Sequence, residues 1–485
     1  MHKALPVLHV LSMVIVLFAS TMLAPLGLAL GEHDAARAAF SYAMLLTLAV
    51  GFLLWLLTRG ASKELKVRDG FLLVVVVWTV LPALGGLPLM LYLPQLSFTD
   101  AYFEAMSGLT TTGATVLSGL DQLPQSINLW RGEMVWLGGM GIIVLVVAIL
   151  PLLGIGGRQI YKAETPGPMK DSQLTPRITE TAKGLWLVYA GITLACILSY
   201  WWAGMTPFDA VMHAFSTMGL GGFSSHDASF GYFNSPRIEW VSVVFMLIAG
   251  INFATHFMAV RNRDINPYRH DIEARYFVAV TLLSVVGLTF YLWGEHVYPD
   301  LHTAFRYALF NVVSIATTTG YASTDYNVWP IFAPMWMLFL CSFATSSGST
   351  GGGIKMIRAL ILYKQVYKEF LRIIHPNAIV QAKLDGVVVQ NKIIYAVLAF
   401  FFIYIVSIVS MTLIMMASGL GAVTAFSAVV ACINNTGPGL NEVGPATTFA
   451  VLSDFQTWLC SFAMLLGRLE LFTLLVVLTP AFWRK

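Results

Sequence analysis

Ten apolar stretches recur along this chain, each near the ~20 residues that a helix needs to cross a ~30 Å hydrocarbon layer. They lie near 4–30, 38–58, 71–94, 127–153, 185–203, 238–260, 276–293, 329–344, 393–417 and 447–480. The eighth is interrupted by glycines and serines. Only 11% of the 485 residues are charged, against ~25% in soluble domains, which argues against a water-soluble enzyme. The first stretch is too long for the ~7–15-residue apolar region of a signal peptide, so the first two read as a retained hairpin. A net charge of +3 is too small to suggest a nucleic-acid partner. Cys196, Cys341, Cys432 and Cys460 lie inside apolar stretches without paired spacing and read as packing residues.

Basic residues give the expected orientation, because cytoplasmic loops carry the excess of Lys and Arg. The connections after the second, fourth, sixth and eighth spans hold most of them, including Arg59, Lys63, Lys66, Arg68, Arg158, Lys162, Lys170, Arg177, Lys183, Arg261, Arg263, Arg269, Arg275 and those from Lys355 to Lys392. With Lys3, Arg484 and Lys485, 23 of 28 basic residues fall on one side. Arg37, Arg131, Arg237 and Arg306 fall on the other, and Arg468 sits within a span. Both termini are therefore expected in the cytoplasm.

From residue 71 onward, each pair of spans is joined on the outer side by a similar short segment. The first ends Thr110-Thr111-Thr112-Gly113 and the third Thr317-Thr318-Thr319-Gly320, preceded by matching Phe103 and Phe310, Ser107 and Ser314. The second offers several glycines, and its downstream residues choose among them. Gly222-Phe-Ser-Ser-His-Asp227 lies over Gly320-Tyr-Ala-Ser-Thr-Asp325, which makes Gly222 the equivalent position and its helix about one turn longer. The fourth, ending Asn435-Thr436-Gly437, is the most divergent. Each unit reads as span, half-helix, glycine loop, span. Two crossings return the chain to its starting side, so all four units point the same way around an axis normal to the membrane. That spacing argues against inverted-repeat transporters.

Half-helices of ~10–14 residues are too short to span and must re-enter. Irregular backbone at membrane depth is tolerated only where it is buried in protein or lines a water-filled cavity, a condition that four loops on one axis satisfy together. Each half-helix would point its partially negative carbonyl end at the membrane centre. Glycine lets the loop turn its carbonyls toward the axis, where they replace the hydration shell of an alkali cation. Thr111, Thr112, Gly113, Gly221, Gly222, Thr318, Thr319, Gly320, Asn435, Thr436 and Gly437 are the expected filter, holding an alkali cation through backbone carbonyls. The uncharged sequence suits K⁺-sized monovalent ions better than Ca²⁺ or Mg²⁺, which favour carboxylates. Glu104, Asp121, Asp209, Asp227, Asp325, Glu442 and Asp454 lie near the expected outer mouth, where they would concentrate cations or simply be solvated.

These units, with Gly113, Gly222, Gly320 and Gly437, the glycine-rich break in the third unit and the arginine of the last span, resemble the Trk/Ktr/HKT superfamily of K⁺ transporters over about residues 70–485. The amino-terminal hairpin fits its Trk branch. The resemblance implies a polytopic all-α fold of four tandem repeats around a pseudo-fourfold pore, divided as 1–69 (hairpin), 70–165, 166–262, 263–375 and 376–485. It implies K⁺ uptake across a bacterial inner membrane, with Na⁺ and Li⁺ disfavoured, by a homodimer working with a cytosolic NAD- or ATP-binding TrkA-like regulatory ring. The chain itself carries no G-x-G-x-x-G in a strand–helix context, so nucleotide is expected on that partner. Gly-Pro-Gly in the fourth loop and Met-Gly-Leu-Gly-Gly in the second depart from the simple filter pattern.

The interrupted eighth span holds residues 345–353, with Gly348, Gly351, Gly352 and Gly353. Lys355 does not directly follow a glycine, so this is not a Walker A loop. It reads as an intramembrane break below the filter, able to line the pore and move or, alternatively, to let helices pack closely. The resemblance implies a gate. Arg468 at membrane depth is costly without a partner or cavity. It reads as a positive barrier beneath the filter, as a structural partner of Glu470 or of loop carbonyls, or as both at once. His213 reads as a packing residue and His226 as outer-loop surface. Without a catalytic constellation, an embedded enzyme or receptor is the weakest reading. An H⁺- or Na⁺-coupled K⁺ symporter is the nearer alternative to a channel-like pore.

Overall fold

The computed structural model describes residues 5–60, 67–152, 178–378 and 380–484. Lys3, Lys63, Lys66, Arg158, Lys162, Lys170, Arg177, Lys485 and the expected boundary at 165–166 lie outside them. The fold is helical and multi-pass. Among the described residues, six helices are long and apolar enough to cross a membrane, and two bent pairs qualify as broken spans.

The hairpin comprises Leu5–Thr21, Leu23–Gly31 and Arg37–Thr58. It packs on the first unit and is tied there by Asp34, whose carboxylate accepts from the Ser126 hydroxyl at 2.6 Å. Half-helices occupy Phe98–Leu109, Pro207–Gly219, Leu301–Ala316 and Ala422–Ile433. Three start at an oxygen-bearing N-cap: Ser97, Thr206 and Asp300 accept from the amides of Asp100, Asp209 and Thr303. This satisfies amides that the first turn leaves open. The first, second and fourth half-helices begin 15 residues before their filter glycine, and the third, from Leu301, begins 19 before Gly320. The extra turn therefore belongs to the third unit, not to the second as the sequence suggested.

Each half-helix lies between the two spans of its own unit. The closing span of each unit also packs on the next half-helix: Gln125–Leu152 on the second, Pro236–Ala249 on the third, Phe332–Cys341 on the fourth. Asp454–Arg468 completes the circle on the first. Four units thus close around one axis in chain order.

Closing spans break more often than hydropathy reveals. The sixth expected span turns by 93° between Pro236–Ala249 and Phe253–Asn262, where the Asn252 side chain caps the new helix by accepting from Ala254 N–H at 2.9 Å. The last turns by 115° between Asp454–Arg468 and Phe472–Leu478, through Glu470 and Leu471 in the left-handed region. The eighth ends at Cys341 and resumes at Met356–Ile374. A two-residue hairpin, Lys383–Leu384 with Val387–Val388, turns at Asp385-Gly386, both at positive φ, as a tight β-hairpin requires.

Candidate functional site: a four-loop filter and the segment beneath it

The four loops share one backbone course. Thr111, Leu220, Thr318 and Asn435 have φ of 55°, 54°, 61° and 52°, and two residues later Gly113, Gly222, Gly320 and Gly437 have φ of 85°, 65°, 85° and 95°. In each unit the amide just before the glycine donates back to a carbonyl five residues earlier: Thr112 to Ser107, Gly221 to Ser216, Thr319 to Ser314, Thr436 to Ala431, at 2.8–3.0 Å. The residue before it donates three back, Thr111 to Gly108 and likewise in the other units. This is a Schellman ending repeated four times, with a residue other than glycine at its left-handed step. That step costs roughly 1–2 kcal/mol for an L-residue, and the surrounding protein must hold it.

The glycines interlock. A Cβ on Gly113 would lie 2.1 Å from the Gly221 carbonyl oxygen, on Gly222 2.1 Å from that of Thr319, on Gly320 2.0 Å from that of Thr436, and on Gly437 2.7 Å from that of Thr112. Each filter glycine therefore abuts the carbonyl preceding the glycine of the next unit, and the fourth returns to the first. Thr111, Thr112, Thr318, Thr319, Asn435 and Thr436 are fully buried. A vestibule opens on one side, bordered by Gly113, Gly222, Gly320 and Pro438, with Arg131 and Asp227 in its wall.

The opposite side is filled. Gly348, Gly353 and Lys355, at φ of 74°, 79° and 78°, bend the segment between Cys341 and Met356. Thr350 donates its hydroxyl to the Met218 carbonyl at 2.9 Å, at the end of the second half-helix. The Gly352 amide donates to Thr318 Oγ1 at 2.9 Å, and a Cβ on Gly352 would lie 2.0 Å from the Asn434 carbonyl oxygen. The segment thus rests against the ends of the second, third and fourth half-helices. The Lys355 ammonium donates to the Gly351 carbonyl. Glu273 holds the first turn by accepting from Ser347 N–H at 2.7 Å. Main-chain bonds from Ser346 N–H to the Gly250 carbonyl and from Phe253 N–H to the Gly348 carbonyl, both 3.0 Å, stitch it to the break in the sixth span.

Arg468 covers the end of the first half-helix. Its guanidinium donates to Thr111 Oγ1 at 2.8 Å, to the Thr350 carbonyl at 3.1 Å and to the Gly138 carbonyl at 2.7 Å. Of the two structural partners considered from sequence, it takes the carbonyls. Glu470, at the 115° bend, instead accepts from Arg358.

Several groups escape sequence reasoning. Glu104 is not a solvated mouth carboxylate: it is fully buried and paired with Arg131 at 2.8 Å. Arg131 extends to the Ser224 carbonyl at 2.9 Å, joining the first two units. His226 is not loop surface either. It bonds to Asp121 and to Asp209 at 3.2 Å, and stacks on Tyr232 with ring centroids 3.5 Å apart. Burial disfavours its charged form, but the hydrogen bonds to Asp209 and Asp121 and their charges outweigh this and raise its pKa above 6.5. Burial likewise opposes ionisation of Asp209, yet hydrogen bonds from His226, Thr206 and Ser225 hold its pKa at about 2. His213 is buried and satisfied on both nitrogens, by the Asp209 carbonyl at 2.8 Å and Ser224 Oγ at 2.9 Å.

Residues 36–485 match the family TrkH, described as a cation transport protein. The chain is 47% identical to the Trk system potassium uptake protein TrkH of Salmonella typhimurium over 479 residues, covering 98% of this chain and 99% of that one. It is 37% identical to the Trk system potassium uptake protein TrkG of Escherichia coli, over 99% of this chain and 98% of the relative. The crystal structure of the potassium transporter TrkH from Vibrio parahaemolyticus superposes with a TM-score of 0.91 at 44% identity, covering 100% of both chains.

Proposed function

The chain belongs to the TrkH family of cation transport proteins, and on that premise we propose that it takes up K⁺ through a selective, channel-like pore along the axis of its four units. The observation that carries this reading is the closed circle of contacts in which each filter glycine abuts a carbonyl of the next unit. Carbonyls held in such a circle exchange for the hydration shell of an alkali cation. Four half-helix carboxyl ends add a negative potential below them. The filter residues are those named from the sequence: Thr111, Thr112 and Gly113; Gly221 and Gly222; Thr318, Thr319 and Gly320; Asn435, Thr436 and Gly437.

Residues 345–353 and Arg468 form the gate. In the arrangement described they occupy the space into which a cation leaving the filter would pass, and they supply N–H and O–H donors where that cation needs acceptors. Opening requires Gly352 to leave Thr318 Oγ1 and Arg468 to leave Thr111 Oγ1. The chain functions as a homodimer in a bacterial inner membrane with both termini cytoplasmic. The basic connections engage a cytosolic NAD- or ATP-binding TrkA-like ring, and no nucleotide binds this chain.

The test is rubidium-tracer uptake into liposomes containing this chain alone, with K⁺, Na⁺ and Li⁺ as competitors. Strong competition by K⁺ and weak competition by Na⁺ and Li⁺ is expected, with uptake driven by voltage alone. Equal competition by all three overturns the selective filter. Uptake that needs a pH or Na⁺ gradient replaces the pore with a symporter.

A further inference from the structure

Nine residues before each of three filter glycines stands a fully buried polar side chain: Glu104 before Gly113, His213 before Gly222 and Asn311 before Gly320. In the fourth unit that position is Ala428, and the adjacent Ser427, also fully buried, takes over. A buried polar group is costly unless hydrogen-bonded, so where these four spend their bonds is informative. Glu104 Oε2 accepts from Val116 N–H at 3.0 Å. Asn311 Oδ1 accepts from Ser323 N–H at 3.2 Å. Ser427 Oγ accepts from Leu440 N–H at 2.8 Å. Val116, Ser323 and Leu440 each lie three residues beyond their filter glycine.

The second unit reaches the same end by another route. His213 Nδ1 faces the Asp209 carbonyl at 2.8 Å and must donate to it. In the neutral ring Nε2 is then an acceptor, receiving the Ser224 hydroxyl at 2.9 Å, and Ser224 Oγ in turn accepts from His226 N–H at 3.1 Å. A carboxylate, an imidazole, an amide and a hydroxyl thus do one job in four diverged units. The carboxylate is the one that needs a counter-charge, and Arg131 supplies it at 2.8 Å.

We propose that Glu104, His213, Asn311 and Ser427 are the positioning residues for ion discrimination: each grips, from the half-helix, the strand that leaves the filter, and so sets the position of its carbonyls. This rests on the K⁺-pore reading and names the side chains that make that pore selective. Where a backbone ring distinguishes ions by the fit of its cavity, it does so only as far as its ligands are held in place. The half-helix fixes the strand before each glycine through the Schellman bonds, and the bracket fixes the strand after it.

Two neutral brackets give the cleanest test. In liposomes carrying the full chain, Na⁺ and K⁺ are compared as competitors of rubidium uptake for wild type, Asn311→Leu, Ser427→Ala and Ser427→Thr. Losing one bracket should make Na⁺ about fivefold more effective relative to K⁺, the factor that one typical hydrogen bond is worth. Ser427→Thr, which keeps the acceptor, should restore discrimination. Ser427→Ala removes one oxygen atom, so it remains a fair test if Asn311→Leu does not fold, as read from its elution profile. Wild-type discrimination in folded Ser427→Ala overturns the inference. Absence of discrimination in the wild type overturns the pore reading instead.

Discussion

The guanidinium of Arg468 donates to the hydroxyl of Thr111 at 2.8 Å, across 357 residues of sequence, and so places a positive charge at the left-handed step that closes the first half-helix. In the proposed pore a cation descending from the filter would meet that charge directly. At an effective dielectric near 20, two unit charges about 4 Å apart repel by ~4 kcal/mol. Arg468→Ala should therefore raise rubidium flux by at least about tenfold, a ~1.4 kcal/mol change in barrier. Unchanged or lower flux in folded protein would move the barrier elsewhere.

The segment beneath the filter can be tested without deleting it. A methyl group on Gly352 would lie 2.0 Å from the Asn434 carbonyl oxygen, a backbone atom that cannot swing away. Gly352→Ala should keep the segment from seating and increase resting flux. Gly351→Ala, whose nearest neighbour is the Thr345 methyl group at 2.7 Å, should do so less. Equal effects of the two in a flux assay would argue against seating at Asn434.

Filter glycines should differ in tolerance. All four have positive φ, which costs an alanine roughly 1–2 kcal/mol. Gly320→Ala adds an overlap at 2.0 Å, whereas Gly437→Ala adds one at 2.7 Å. Uptake should be abolished in the first and partly retained in the second. The reverse order would mean that the circle of contacts does not govern conduction.

The cluster Asp121, His226 and Asp209 gives the vestibule side a pH dependence. His226 has a raised pKa, so its contribution to stability is present below its unfolded value and is lost as pH rises through the folded one. Burial opposes ionisation of Asp209 and Asp121, but hydrogen bonds with His226 lead the effects that lower both pKa values. Their contributions are present above the usual carboxylate range and are lost as pH falls, for Asp209 toward about 2. Thermal unfolding midpoints should therefore fall from pH 5.5 to pH 8.5 more in wild type than in His226→Gln. Parallel slopes in the two proteins would remove His226 from the account.

The fourfold organisation is legible in the sequence because it is local. Span, half-helix and glycine follow one another within one unit, and the match of Phe103 and Thr110–Gly113 to Phe310 and Thr317–Gly320 needs no knowledge of distant contacts. What the sequence hides is of two kinds. Hydropathy is blind to direction, so it sees continuous spans where Asn252 caps a new helix and where Glu470 and Leu471 turn the chain. It is equally blind to partners. Glu104 looks like a mouth carboxylate until Arg131 is brought to it from the next span, and His226 looks exposed until Asp121 arrives from 105 residues away. Proximity in sequence even misleads, since Glu470 lies beside Arg468 in the chain but pairs with Arg358.

Closure of the four units within a single polypeptide has a genetic consequence. In a ring of identical subunits every mutation strikes four times, and a lone arginine or a lone inserted loop beneath the axis is unobtainable. Here each quarter drifts by itself. One quarter carries the glycine-rich segment proposed as the gate, another a buried arginine, and a third binds its exit strand with an imidazole in place of a carboxylate. Asymmetry that a homotetramer would have to import from a separate protein is encoded in the order of the repeats.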